Sequence, residues 1–257
     1  MVLRLNRYIM KHLLTSILPL FLSFTGISQN QFITEGKIEF EKKTNLYRQL
    51  DFEQDESWRN MVKKMMPPSK TGYFDLYFHN NKTIYTPGRE VVAAQKVPEW
   101  FEGPATDNVV FTDLEQQTHS SQKTVFEDVF NIQDSVRKMS WKVTAETRTI
   151  AGFECRKATT IIMDSLFVVA FYTDQIVTPG GPESFAGLPG MILGLAIPRL
   201  STTWFATKLE LVQVKETTLA PPKKGKKTNS RDLKVQLKSA MKNWGKWGDK
   251  NFWQIMI

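Results

Sequence analysis

The 257 residues carry 34 Lys and Arg against 26 Asp and Glu, for a formal charge of +8, with 41% hydrophobic and 23% charged residues. That balance excludes whole-chain disorder and suits one large β domain or two small ones. The single cysteine, Cys155, excludes an intramolecular disulfide.

Residues 1–28 read as a secretory signal peptide. Arg4, Arg7 and Lys11 precede an apolar run from Leu13 to Phe24, and Gly26-Ile27-Ser28 supplies small residues before a cleavage point at Gln29. The run is shorter than the roughly 20 residues a spanning helix needs, and Pro19 interrupts it. No cysteine follows the run, so the expected product is exported, periplasmic or extracellular or associated with the outer membrane, and is not a lipoprotein.

A β-rich domain is expected over residues 29–215. Residues 33–40 form its first strand, with Ile38 and Phe40 on one face and Lys37 and Glu39 on the other. Trp58, Met61, Val62 and Met65 fall at helical spacing, and Pro67-Pro68 stops that helix, expected over residues 53–66. From Tyr73 the period is two. Phe74, Leu76 and Phe78 share a face, Asn80-Asn81 turns the chain, and Lys82 to Tyr85 returns. Short strands follow at 109–111, 124–126 and 129–132. Residues 141–147, 153–159 and 166–172 alternate between short turns and make an antiparallel meander. Met191 to Ile197 is apolar on both sides and reads as a strand buried on both faces. Thr202 to Val214 is the last long strand.

Residues 216–257 are expected to be a basic linker and an amphipathic helix near 231–244, with Leu233, Leu237, Ala240, Met241 and Trp244 on its stripe. The fold class is therefore mainly β: a curved antiparallel sheet or a partly open β-barrel with one or two packed amphipathic helices. Much of the positive charge lies in the lysines of this C-terminal end. In an exported chain that charge suits peripheral contact with an acidic membrane surface better than nucleic acid.

The densest run of turn formers and apolar residues is Thr178 to Leu195. Leu188-Pro189-Gly190-Met191 suits a type II turn, since proline presets φ and glycine supplies the positive φ that follows. Phe185 and Leu188 are then placed to plug inward. The loop is not a phosphate loop, because no Gly-Lys-Ser/Thr follows and a strand comes next. It is not a nucleophile elbow, because Ser184 lacks flanking glycines.

The run Gly187-Leu188-Pro189-Gly190-Met191-Ile192 resembles the signature of the GLPGLI family, exported proteins of Gram-negative bacteria. Ile150-Ala151-Gly152-Phe153-Glu154-Cys155-Arg156-Lys157-Ala158 is similar to its I-x-G-Y/F-x-C-x-K-A segment, and Ala170-Phe171-Tyr172-Thr173 to its A-W-Y-T segment. Gly181-Pro182 and Phe185 stand where the family has G-P-x-x-F. Met191 and Phe171 depart from the usual Leu and Trp. The resemblance implies an exported β-rich domain of unassigned activity and carries over no reaction. The motif and candidate binding residues are Phe185, Gly187, Leu188, Pro189, Gly190, Met191, Ile192, Tyr172, Gly181 and Pro182.

Catalytic residues, metal ligands and cofactors are not expected. His79 and His119 are the histidines after residue 28 and lack a paired cysteine motif, and Cys155 reads as a buried, inert thiol. The leading expectation is a non-catalytic envelope module that binds a protein partner or an apolar ligand. The alternative is an envelope hydrolase acting on glycan through paired carboxylates such as Asp174 with Glu183, Asp113 with Glu115, or Glu127 with Asp128.

Overall fold

The computed structural model describes residues 32–51, 53–92 and 95–257; the expected signal peptide and the first residues after it lie outside them. The strands are β1 (Gly36–Asn45), β2 (Ser69–His79), β3 (Lys82–Pro87), β4 (Val109–Asp113), β5 (Thr118–Val125), β6 (Asp128–Ser135), β7 (Lys142–Ile150), β8 (Phe153–Ile162), β9 (Leu166–Thr173), β10 (Met191–Ile197), β11 (Thr202–Glu210) and β12 (Lys226–Thr228). The helices are α1 (Glu56–Met65), α2 (Ser230–Ala240) and α3 (Gly245–Met256).

The strands join in one sheet in the order β12-β6-β5-β4-β3-β2-β1-β11-β10-β9-β8-β7. Every neighbouring pair is antiparallel except β12 on β6, which is parallel. The tight turns follow from local chemistry. Asn80 and Asn81, with φ of 48° and 58°, close β2 onto β3 in the left-handed geometry asparagine tolerates. Ala151 and Gly152, at 49° and 88°, do the same between β7 and β8.

Connectivity forces the sheet to curl. β6 and β7 are ten strand steps apart in the order, a span of ~48 Å if the sheet were flat. The chain from Ser135 to Lys142 reaches at most ~24 Å. The two parts of the sheet must therefore bend toward each other. The crossing segment runs beneath the loop 178–190, where Trp141 Nε1 donates to Ala186 O at 3.0 Å. At the far edge, β7 leans over its neighbours: Ile150 lies against Gly194 of β10, and the Arg148 guanidinium sits 4.7 Å from the Phe205 ring centre on β11.

The main core fills the inside of the curl. Ile38, Phe40, Phe74, Leu76, Phe78, Leu195 and Trp204 pack there from the strands, with Ile176 just before the loop and Phe185 and Leu188 from it. β10 is buried along nearly its whole length, as its two-sided apolar pattern predicts. A second cluster sets Leu233, Leu237 and Met241 of α2 against Val125 and Ile132, so α2 docks on the sheet.

Four expectations are corrected. In α1 the packed residues are Trp58 and Val62, followed by Met66 just past its end, while Met61 and Met65 are exposed; that face packs with Tyr47, Leu50 and Phe101. β11 ends at Glu210, and Leu211 is exposed. Phe126 lies in the β5–β6 turn with φ of 56° rather than in a strand. Residues 245–256 form a third helix whose pattern is masked in the sequence by Gly245 and Gly248. Gly248 is where α3 meets the end of α2: a Cβ there would stand 2.9 Å from Met241 O and 2.9 Å from Trp244 Cβ.

Candidate functional site

Loop 178–190 is bound into the fold by its backbone. Ile192 N donates to Gly180 O at 2.8 Å, and Gly187 N to Pro179 O at 3.3 Å. The turn at its end differs from the expected type II. Gly190 N bonds to Leu188 O at 2.8 Å, a three-residue turn around Pro189, while Met191 N reaches across to Ile176 O at 3.2 Å. Gly190 has φ of 138°, and a Cβ there would fall on Thr173 O, so β9 itself excludes a side chain.

The motif side chains serve packing. Phe185, Leu188, Met191, Ile192 and Tyr172 are all buried in the main core. Gly181 allows the loop to close on itself, since a Cβ there would meet Ile192 Cβ at 2.8 Å. Pro182 O accepts the Phe185 N–H at 3.3 Å. Gly187 and Pro189 are exposed. Beside Pro182 the loop carries a polar pair, Glu183 and Ser184, each lining a different cavity.

Glu183 is a buried acid. Its side chain is 2% exposed and its backbone is left-handed, with φ of 54°. Lys42 Nζ lies 3.2 Å from Oε1, and Asn108 Nδ2 donates to Oε2 at 2.8 Å. Lys42 continues the inward row of Ile38 and Phe40 on β1, so the strand period itself delivers an ammonium to the core face. There it stands 5.3 Å from the Phe74 ring centre and 5.4 Å from that of Trp204. Aromatic faces offset part of the cost of removing this ammonium from water. Tyr85 stacks on Phe74 with ring centres 4.8 Å apart. Burial, and then the charge of Glu183, push its phenol well above the ordinary value.

Lys42, Phe74, Trp204 and Glu183 wall a cavity of about 90 Å³ between the inner faces of β1, β2 and β11, the segment around residues 101–107, and α3. On the far wall stands Lys250 of α3, 8% exposed. Its ammonium lies 5.0 Å from the Phe101 ring centre and 4.7 Å from that of Trp247. Burial pushes it down to about 8.

The second cavity, of about 210 Å³, lies beyond Ser184. Its cations have a structural task. Lys123 Nζ donates to Ile255 O at 2.9 Å, Arg137 Nη2 to Met256 O at 2.6 Å, and Ser184 Oγ to Ile257 O at 2.6 Å. The last carbonyls of a helix have no partner within it, and their end of the helix is electronegative. Three side chains from separate elements thus cap α3. Burial pushes Lys123 down to about 8, with Arg137 and Lys42 acting in the same sense and Glu183 opposing.

The expected carboxylate pairs do not converge. Asp174 makes an exposed ion pair with Arg156 at 3.5 Å. Asp113 accepts from the backbone N–H groups of Glu115 and Gln116 at its own turn. Asp128 pairs with Lys226 at 2.6 Å. His79 Nδ1 lies 3.4 Å from Glu35 Oε2, and His119 is at the second cavity. Cys155 is fully buried, and burial pushes its thiol up to about 11. Among the described residues there is no group of three or more His, Cys, Asp or Glu placed to hold a metal ion, and no helix long and apolar enough to cross a membrane.

Two solved structures of PNGF-II, in space groups P21 and C2, share this fold. They are 16% and 14% identical to the chain, each with a TM-score of 0.50, over 79% and 78% of its length. The chain spans about a third of theirs, 32% in both cases. Comparison with curated proteins gives no match. Residues 80–233, which hold β3 to β12 and the loop with Glu183 and Ser184, match the family described as N-glycanase peptide, N-terminal domain. That match takes in more than half of the sequence, and the chain belongs to this family.

Proposed function

We propose that this chain is an exported, non-catalytic domain of the cell envelope, of the kind that accompanies N-glycanases, and that it holds a small ligand with an apolar body in the cavity beside Glu183. The observation that carries this reading is the state of Glu183. It is the buried carboxylate of the site, and Lys42 and Asn108 occupy both of its oxygens. A carboxylate held in this way orders a binding wall and is not free to move a proton. Phe74, Val97, Phe101 and Trp204 supply apolar surface around it. The resemblance to the GLPGLI family and the signal peptide expected over residues 1–28 support export.

The test is to purify the protein from native envelopes, denature it, and identify released small molecules by mass spectrometry. A stoichiometric compound is expected from the native chain and none from Gly72→Leu, which puts a side chain into the cavity lined by Gly72. Absence of any compound from the native protein overturns the reading.

A second reading, a glycan hydrolase, draws on the family and on the presence of Asp107 beside the same cavity as Glu183. It requires that Asp107→Asn abolish release of glycan from an N-linked glycopeptide. On the first reading the native chain releases none.

A further inference from the structure

We infer that the cavity recognises a carboxylate-bearing ligand, with the ammonium of Lys250 as its anchor. This rests on the reading that the cavity holds a small ligand, and it adds the chemistry by which that ligand is selected.

One charge on the cavity wall is unmatched. The charged side chains on the cavity wall are Lys42 on β1, Lys70 on β2, Glu102 and Asp107 on the segment before β4, Glu183 on the loop and Lys250 on α3. Lys42 is paired with Glu183 at 3.2 Å and Lys70 with Glu102 at 2.7 Å. Asp107 is exposed at the rim. Lys250 is more than nine-tenths buried and, among the described residues, has neither an ion pair nor a hydrogen bond; its contacts are the rings of Phe101 and Trp247. Those rings stabilise the ammonium only in part, and its N–H groups still need acceptors.

Other buried or half-buried cations have an evident task. Lys123 and Arg137 cap α3, and Lys42 neutralises Glu183. Lys250 has no such task, yet its long stem is threaded between aromatic rings to bring the charge to the cavity. A carboxylate accepts two or more hydrogen bonds from such an ammonium. An apolar body attached to that carboxylate would lie along Phe74 and Trp204. A volume of about 90 Å³ restricts the body to a few carbons.

The experiment uses butyrate and its neutral isostere butyramide as probes on the full chain. The readout is the indole N–H resonances of Trp204 and Trp247 in ¹⁵N–¹H spectra. Saturable shifts with butyrate are expected, with butyramide at least about tenfold weaker, as one charge-assisted contact provides. Lys250→Met, which keeps the stem, should remove the preference, and Lys238→Met on the exposed face of α2 should leave it. Should Lys250→Met fail to fold, the native chain still decides. Butyrate binding should weaken about fivefold or more between pH 7 and pH 9 as the ammonium is lost, while butyramide binding should not change. Equal binding of both probes overturns the carboxylate inference and leaves the apolar-ligand reading standing. No shift with either probe overturns both.

Discussion

At the scale of single residues, position within an alternating pattern decides what a charge does. Lys42 shares a face with Ile38 and Phe40, so β1 cannot form in its register without burying that ammonium. Glu183 and Asn108 are its answer. Removing one member of a buried pair leaves the other charge uncompensated. Glu183→Gln should therefore destabilise the domain by about 3 kcal/mol or more in urea denaturation. The double variant Lys42→Met with Glu183→Gln should regain most of that loss, because two neutral side chains carry no uncompensated charge. Additive losses would mean that the pair contributes nothing as a pair. Lys42 was not read from the sequence, because the first strand was expected to end at Phe40 and β1 runs on to Asn45. Nor was Glu183, since nothing local distinguishes it from Asp174, which lies in solvent.

At the scale of elements, the loop and α3 carry the site between them. The loop depends on Gly190, whose missing side chain lets β10 start against Thr173. Gly190→Ala should cost about 3 kcal/mol, from backbone strain and the clash together. Gly152→Ala, also at positive φ but with nothing within 4 Å of its Cβ, should cost only about 1 kcal/mol. Chevron or equilibrium denaturation of the two variants side by side checks the contrast.

α3 brings two lysines into low dielectric, Lys250 on its own turn and Lys123 at its end, each pushed down to about 8 by burial. The unfolded chain holds those protons up to the ordinary lysine value of about 10.4, so above pH 8 it binds more protons than the native state. Stability should therefore rise between pH 8 and 9 at constant ionic strength, as the cost of burying two charges is relieved. Above pH 9 Cys155 works against it, because its thiol ionises in the unfolded chain before it does in the fold. Lys250→Met should flatten part of the rise in a series of urea melts. If the native curve is already flat over that unit, both ammonium groups are better solvated than their burial implies.

At the scale of the whole molecule, the sheet is curled because its connectivity leaves no alternative, and the site exists only because of that curl. β7 returns over β10 and β11, and Gly194 is the point of closest approach: a Cβ would stand 2.8 Å from both Ile150 Cδ1 and Phe205 Cε1. Gly194→Ala should cost about 1–2 kcal/mol by overpacking. Ile150→Val removes the offending methyl, so thermal denaturation should show the double variant to be more stable than the sum of the singles. Strict additivity would mean that β7 stands off the sheet.

Local residues alone were enough for the mainly β class, the hairpins at Asn80-Asn81 and Ala151-Gly152, the two-sided burial of β10, the burial of Cys155 and a helix expected near 231–244, which runs from Ser230 to Ala240. All of these rest on periods of two or 3.6 residues and on turn chemistry, which act over a few neighbours. Only the tertiary structure decided that Leu188-Pro189-Gly190 closes as a three-residue turn, because Met191 N finds a better-placed acceptor in Ile176. It also decided that residues 245–256 are helical, because the close contact that requires Gly248 is made with a segment outside that helix. The site itself was beyond local reading. Lys42, Asn108, Glu183 and Lys250 are brought together from β1, the segment before β4, the loop and α3. Burial and pairing at such separations are set by how the curled sheet closes, and no period or turn in the sequence records it.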